Sequence, residues 1–206
     1  RPKTFTELVG QDHVVTALTN ALIQGRVHHA WLFTGTRGVG KTTLARIIAK
    51  ALNCSALNNA DPCGKCDSCL LIDEGRFVDV IELDAASNTQ VDNMRDLLET
   101  ATYRPTVGEF KIFIIDEVHM LSLSACNALL KILEEPPKNV VFILATTDIK
   151  KIPNTIVSRC HKLSFSSLNK KELAMAISNI VWLENGNITN MALSHIINCS
   201  EGSFRD

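Results

Sequence analysis

Aromatic residues are scarce: eight Phe, two Trp and one Tyr make up 5% of 206 residues, so the core must be mainly aliphatic. Net charge is nearly absent. Twenty-one Lys and Arg face 22 Asp and Glu, giving a formal charge of -1, and whole-chain electrostatics make no case for strong nonspecific nucleic-acid binding, although a local basic surface is compatible with it. No apolar run reaches membrane-spanning length and no signal peptide is visible, which points to a cytoplasmic protein without a membrane partner. There is no internal repeat, no low-complexity tract and no initiating Met, so the start of the natural protein is expected to be missing. The seven cysteines do not form the even-numbered pattern of a disulfide framework, and four of them cluster.

A hydrophobic fraction of 46% with 21% charged residues supports one large domain or a domain with a smaller attachment. Val14, Leu18, Leu22 and Ile23 recur at helical spacing, predicting a helix over 11–24 that ends at Gly25. A short strand at 30–34 precedes a Gly-rich turn and a helix over 41–52. A cysteine-bearing insert occupies 53–75, a strand 78–83, and Thr89 caps a helix reaching 102. Continuous apolar runs at 111–115 and 140–146 read as strands buried on both faces, with a helix over 124–134 between them that stops before Pro136-Pro137. After a last strand at 161–165 the strands stop, and 170–182 and 190–199 read as two helices of a small subdomain. Such alternation predicts an α/β fold with a parallel sheet and helices on both faces.

Gly35-Thr36-Arg37-Gly38-Val39-Gly40-Lys41-Thr42 fits G-x-x-x-x-G-K-[ST] in full, and it sits between a strand and a helix. Glycines let backbone N–H groups turn inward around phosphate oxygens, and the helix adds its positive N-terminus. Lys41 would reach the β/γ-phosphates of ATP and Thr42, followed by Thr43, would coordinate Mg²⁺. A buried strand carries Asp116 and Glu117 to the sheet's carboxyl edge, where ligands gather. Asp116 would hold Mg²⁺ directly or through water, and Glu117 would polarise the attacking water as general base. The strand ending Ala145-Thr146-Thr147-Asp148 is expected between those two elements, with Thr147 facing the γ-phosphate; capping of the next turn is the alternative role for Thr147.

Cys54, Cys63, Cys66 and Cys69 form C-x8-C-x2-C-x2-C, with Gly64 easing the turn. Four thiolates suit a closed, structural tetrahedral Zn²⁺, with an iron–sulfur cluster or regulatory thiols as alternatives. Cys126, Cys160 and Cys199 are scattered and read as small buried apolar residues.

Together these strings resemble the bacterial DNA polymerase III tau/gamma family of clamp-loader ATPases, over nearly the whole chain. Further matching segments are Arg1-Pro2-Lys3-Thr4-Phe5, Val9-Gly10-Gln11, His28-His29-Ala30, Asp84-Ala85-Ala86-Ser87, Leu133-Glu134-Glu135-Pro136-Pro137 and Ser158-Arg159-Cys160. The resemblance implies an AAA+ P-loop core over 1–165 carrying a zinc insert, followed by a partial helical lid over 166–206. It implies that Arg159 serves as an arginine finger on the neighbouring subunit's ATP. By the same likeness Arg205 is a second sensor for the γ-phosphate, and the Val9-Gly10-Gln11 segment is an adenine-side box, with Val9 and Gly10 holding the base. Two departures stand out: Thr147 replaces the Asn common at the first sensor, and Asn88 and Gln90 stand where relatives place basic residues toward DNA. The implied partners are other clamp-loader subunits, the sliding clamp and primed DNA. The chain reads as a fragment that ends inside its lid and, lacking a collar, is monomeric and slow in hydrolysis. A branch-migration or helicase motor and a non-catalytic zinc adaptor are the competing functions.

Overall fold

The computed structural model describes residues 2–87, 99–200 and 202–203. Five parallel strands form one sheet: β1 (Ala30–Thr34), β2 (Val80–Asp84), β3 (Lys111–Asp116), β4 (Val140–Thr146) and β5 (His161–Ser164), in the order β2-β3-β4-β1-β5. The helices among the described residues are α1 (Asp12–Ile23), α2 (Lys41–Asn53), α3 (Asp67–Asp73), α4 (Leu123–Glu134), α5 (Asn154–Val157), α6 (Lys170–Leu183) and α7 (Asn190–Cys199). None is long and apolar enough to cross a membrane.

Strand composition explains strand position. All residues of β1 and β4 and the first five of β3 are buried, as expected of central parallel strands covered on both faces. The outer strands β2 and β5 are largely open and contribute fewer apolar side chains. Alternate residues face opposite layers. Trp31, Phe33, Ile112, Ile114 and Ile143 pack with Val14, Leu18, Leu44 and Ile48 of α1 and α2. Leu32, Phe113, Ile115, Phe142 and Leu144 pack with Leu129, Leu133 and Ile156 of α4 and α5. Phe113 and Phe142 stack across neighbouring strands at 5.1 Å, an aromatic pair within an otherwise aliphatic layer.

Several boundaries differ from the sequence reading. Strand β2 starts at Val80 because Asp79 turns inward just before it, leaving Val78 66% exposed. The Asp79 carboxylate, 1% exposed, accepts the N–H groups of Thr106, Val107 and Gly108 at 2.7–2.8 Å, so it closes the loop that delivers the chain into β3. Asn53 ties the same loop to α2, accepting from Phe110 N–H and donating to its carbonyl. Ile23 lies outside the apolar stripe of α1 and is 66% exposed. Cys199 is exposed rather than buried, at the last residue of α7, a helix with no buried residue; Cys126 is buried and Cys160 half-buried. The insert contains a helix, α3, that its short apolar pattern did not announce. The helix start expected at Thr89, with its neighbours Asn88 and Gln90, lies outside the described residues, as does Arg205.

Burial alone would raise the Asp79 carboxyl; donation from Gly108, Thr106 and Val107, with the Lys111 charge, holds it below the ordinary value. A depressed folded value means the stabilisation is complete above the unfolded value near pH 4 and is lost as pH falls through the folded one. Asp79→Ala is expected to lower the unfolding free energy by about 3 kcal/mol in urea titrations, since three N–H groups lose their acceptor. The variant's stability should also fall less steeply than the wild type's below about pH 4.

Candidate functional site

The carboxyl ends of β1, β3 and β4 lie side by side, with Thr34 in register with Thr146 and β4 seated between β1 and β3. That edge gathers most of the sequence-predicted residues. The loop from Gly35 to Gly40 follows β1 and opens α2, with Gly35, Gly38 and Gly40 at φ of 151°, 78° and 97°. Val39 anchors it in the core at 3% exposure, whereas Thr36 and Arg37 are exposed. A Cβ on Gly35 would stand 2.7 Å from the Phe165 carbonyl oxygen, so glycine is required both by conformation and by the close pass of the chain leaving β5.

Lys41 is 6% exposed and its ammonium donates to the carbonyls of Gly35 and Thr36, both at 2.7 Å, which holds it in the cup of the loop. Burial pulls its pKa down, and the carboxylates of Glu117 and Asp116 oppose the change. Thr42 Oγ1 donates to Asp116 Oδ2 at 2.7 Å, bringing together a hydroxyl and a carboxylate suited to a hard cation with few protein ligands. Thr43 lies one residue on, in the first turn of α2.

Glu117 adopts a left-handed backbone (φ 48°, ψ 46°) as the chain turns off β3. Its Oε2 accepts from both the N–H (3.1 Å) and the Oγ1 (2.9 Å) of Thr147, just past β4. Thr147 therefore grips the carboxylate, while the turn that follows is capped by Asp148, whose Oδ1 accepts Lys150 N–H at 3.1 Å. His119 Nδ1 is 2.9 Å from Thr146 Oγ1 and 3.3 Å from Glu117 Oε2, placing an imidazole beside the pair.

Arg159 is not part of this edge. It precedes β5, whose first residue pairs with Trp31, so it lies at the opposite end of the strands, roughly 15 Å along them from the loop. Its guanidinium donates to Glu134 Oε1 and the Thr155 carbonyl, both at 2.7 Å. It borders an open depression of about 570 Å³ together with His28, Cys160 and His161.

Val9 and Gly10 lie half-buried where the segment before α1 passes the chain after β5; a Cβ on Gly10 (φ 74°) would meet Leu168 at 2.6 Å. Gln11 locks this crossing. Its side chain donates to the Ser166 carbonyl at 2.6 Å and accepts Ser166 N–H at 2.9 Å, imitating a strand pair. The sequence places Gln11 at the start of a helix and in the Val9-Gly10-Gln11 segment; its left-handed backbone at φ 63°, its 9% exposure and its bonds to Ser166 are visible in the structure alone. Arg46 was also missed. It forks onto Glu82 at 2.7 and 2.6 Å and ties α2 to β2, and the Glu82 hydrogen bonds raise its pKa.

The four clustered cysteines converge, all Sγ atoms lying within 4.8 Å of one another. Backbone N–H groups of Ala56 and Cys63 point at Cys54 Sγ, and those of Lys65 and Cys66 at Cys63 Sγ. Such donation favours thiolates, and tetrahedral Zn–S bonds would space the sulfurs by ~3.8 Å, so the donor set fits a thiolate-bound metal ion. Burial raises Cys66, yet donation from Cys69 and Ser55 and the neighbouring thiols bring it down to about 6, while burial pushes Cys69 up.

Comparison with known proteins is consistent over the full length. The family model described as DNA polymerase III, delta subunit, matches residues 10–169. The chain is 52% identical over 206 residues to the DNA polymerase III subunit tau of Escherichia coli (strain K12), covering 32% of that protein. It is 51% identical to the DNA polymerase III subunit gamma of Buchnera aphidicola subsp. Baizongia pistaciae, covering 56% of it, and 50% to the tau/gamma subunit of Haemophilus influenzae, covering 30%. The chain thus spans between about a third and just over half the length of these curated relatives. In fold it is similar to the Thermotoga maritima RuvB Holliday junction branch migration motor, with TM-score 0.71 and 23% identity over all of this chain and 61% of that one.

Gln11→Ala would leave the Ser166 N–H and carbonyl without the side-chain partner. We expect a loss of about 2 kcal/mol in chemical denaturation and faster amide exchange at Ser166, with exchange in β3 and β4 unchanged.

Proposed function

The chain belongs to the DNA polymerase III, delta subunit, family, and tau and gamma subunits match it along the whole of its own length; on that footing we propose that it is the ATP-binding and hydrolysing motor module of a sliding-clamp loader. The observation that carries the proposal is the meeting of Lys41, Thr42, Asp116, Glu117 and Thr147 at one sheet edge. On this reading the core is residues 1–165, with its zinc insert at 53–75, and 166–206 is the start of a lid.

The loop from Gly35 to Gly40 cradles the phosphates of ATP, with Lys41 as the cation on the β/γ oxygens. Thr42 and Asp116 would hold Mg²⁺, which supplies charge neutralisation on the phosphates when bound. Glu117 accepts a proton from the attacking water as its oxygen bonds the γ-phosphorus and the bond to the leaving β-phosphate oxygen breaks. Thr147 fixes one carboxylate oxygen for this task. Val9 and Gly10 border the base, and Arg205 is assigned to the γ-phosphate from the lid side.

Arg159, at the far end of the strands, is out of reach of its own phosphate loop. Its place supports a role on the ATP of a neighbouring subunit, stabilising charge on the transferring phosphate. Partners on this reading are other loader subunits, the clamp and primed DNA. The likeness to the branch-migration motor is a likeness of fold at 23% identity and favours no second function.

Lys41→Ala is expected to weaken ATP binding, read by calorimetry. Glu117→Gln should keep binding and lower turnover about 10²–10⁴-fold in the assembled loader. Arg159→Ala should depress turnover only in the assembly, leaving the slow rate of the isolated chain unchanged. Clamp capture by the full-length protein with its partner subunits should require ATP; capture indifferent to nucleotide would sink the clamp-loader reading. In the cysteine centre, one Zn²⁺ per chain is expected by atomic emission, and Cys66→Ser should lower that content.

A further inference from the structure

The metal-binding insert does not stand apart from the nucleotide site. Between Cys54 and Cys63 the chain makes a tight hairpin, Asn58 and Asp61 exchanging both backbone hydrogen bonds around Asn59 and Ala60 at φ 48° and 77°. Positive φ at both central residues is the type I′ hairpin geometry, and at its base Cys63 N–H donates to Cys54 Sγ at 3.3 Å. Asp61 leaves this hairpin two residues before Cys63, and its Oδ1 accepts the N–H of Phe5 at 2.6 Å, across 56 positions of sequence.

A second tether is nearby. Lys50, on the helix that opens at the phosphate loop, has a side chain 2% exposed. Its ammonium contacts Asp73 Oδ1 at 2.8 Å, at the end of the insert's helix α3, and donates to the Lys3 carbonyl at 2.9 Å. Lys3 returns to Asp73 at 3.4 Å. The segment from Lys3 to Phe5 is therefore held by the insert at two points, and Phe5 is driven into the core at 3% exposure. Five residues beyond Phe5 the chain reaches Gly10 and the Gln11 lock on Ser166. Residues 3–11 are thus a short strap fixed by the insert at one end and by the chain after β5 at the other, with Val9 and Gly10 between the fixed points.

We propose that Asp61 is a positioning residue through which the metal-bound insert sets the adenine-side lip, so that the insert governs base recognition while the loop from Gly35 to Gly40 governs phosphate binding. The proposal rests on the nucleotide-site reading above. Asp61 touches neither base nor phosphate; it acts by fixing the path of residues 3–10.

The test is calorimetry with ATP, GTP and inorganic tripolyphosphate on wild type, Asp61→Ala and Asp61→Asn, with metal content measured for each. Hydrogen–deuterium exchange follows the amides of residues 5–10. In Asp61→Ala, ATP affinity should fall about tenfold, preference for ATP over GTP should narrow, tripolyphosphate affinity should stay within about twofold, and exchange should quicken over 5–10 but not over 35–42. Asp61→Asn, which keeps an acceptor oxygen, should recover much of the ATP affinity. Equal losses for all three ligands would indicate a general structural role and overturn the proposal, as would unchanged ATP affinity. If Asp61→Ala does not fold, stripping the metal from wild type with a chelator decides: exchange over 5–10 must quicken, and unchanged protection refutes the coupling. Wild type that binds neither ATP nor tripolyphosphate would fault the nucleotide site itself, and the exchange arm would still judge the strap.

Discussion

Strand β4 lies hydrogen-bonded between β1 and β3, and that placement governs the geometry of the carboxyl edge of the sheet. In a parallel sheet all carboxyl ends fall on one side, so the loop after β1, the acidic pair after β3 and the threonines after β4 must face the same space. Were β1 to pair directly with β3, Thr147 would have no route to Glu117. The pairing is fixed by burial: every residue of β4 is covered, and a register slip would drive its side chains into the wrong layer.

From the fixed sheet, two ends of the molecule acquire different chemistry. The carboxyl end has a buried lysine held by two loop carbonyls, and two carboxylates that each accept from a threonine hydroxyl. The amino end has Arg159 held by Glu134 beside a cluster of histidines. Neither end is complete for phosphoryl transfer on the proposed reading, and a ring of subunits in which one copy's amino end faces the next copy's carboxyl end would supply both halves at each junction.

The fold was legible where a single physical signal dominated. Apolar runs at β3 and β4, glycine spacing at the phosphate loop and paired cysteines each point to one structure with few competitors, and the tau/gamma resemblance carried by these strings agrees with the matched family. What sequence could not show was long-range side-chain bonding. Asp79 looks like any acidic residue beside a strand until three N–H groups from 27 to 29 positions away converge on it. Gln11, Asp61 and Lys50 are similar cases: each bonds a backbone group far off in sequence, and no periodicity marks them. Thr147 was chosen for its place after β4, but its grip on Glu117 follows from a left-handed turn that propensity does not favour.

The near-contact between Gly35 and the Phe165 carbonyl has a mechanical meaning. The chain leaving the sheet for α6 passes almost against Gly35, the first residue of the glycine-rich loop, so the pivot of any rotation of α6 lies beside that loop. Displacement there is small for a given rotation. Helix α6 has 14 residues, about 20 Å at 1.5 Å per residue, so its far end sweeps ~0.35 Å for each degree turned. The arrangement is a lever with its fulcrum at the loop from Gly35 to Gly40: slight changes beside Gly35 become ångström-scale excursions at the distant tip.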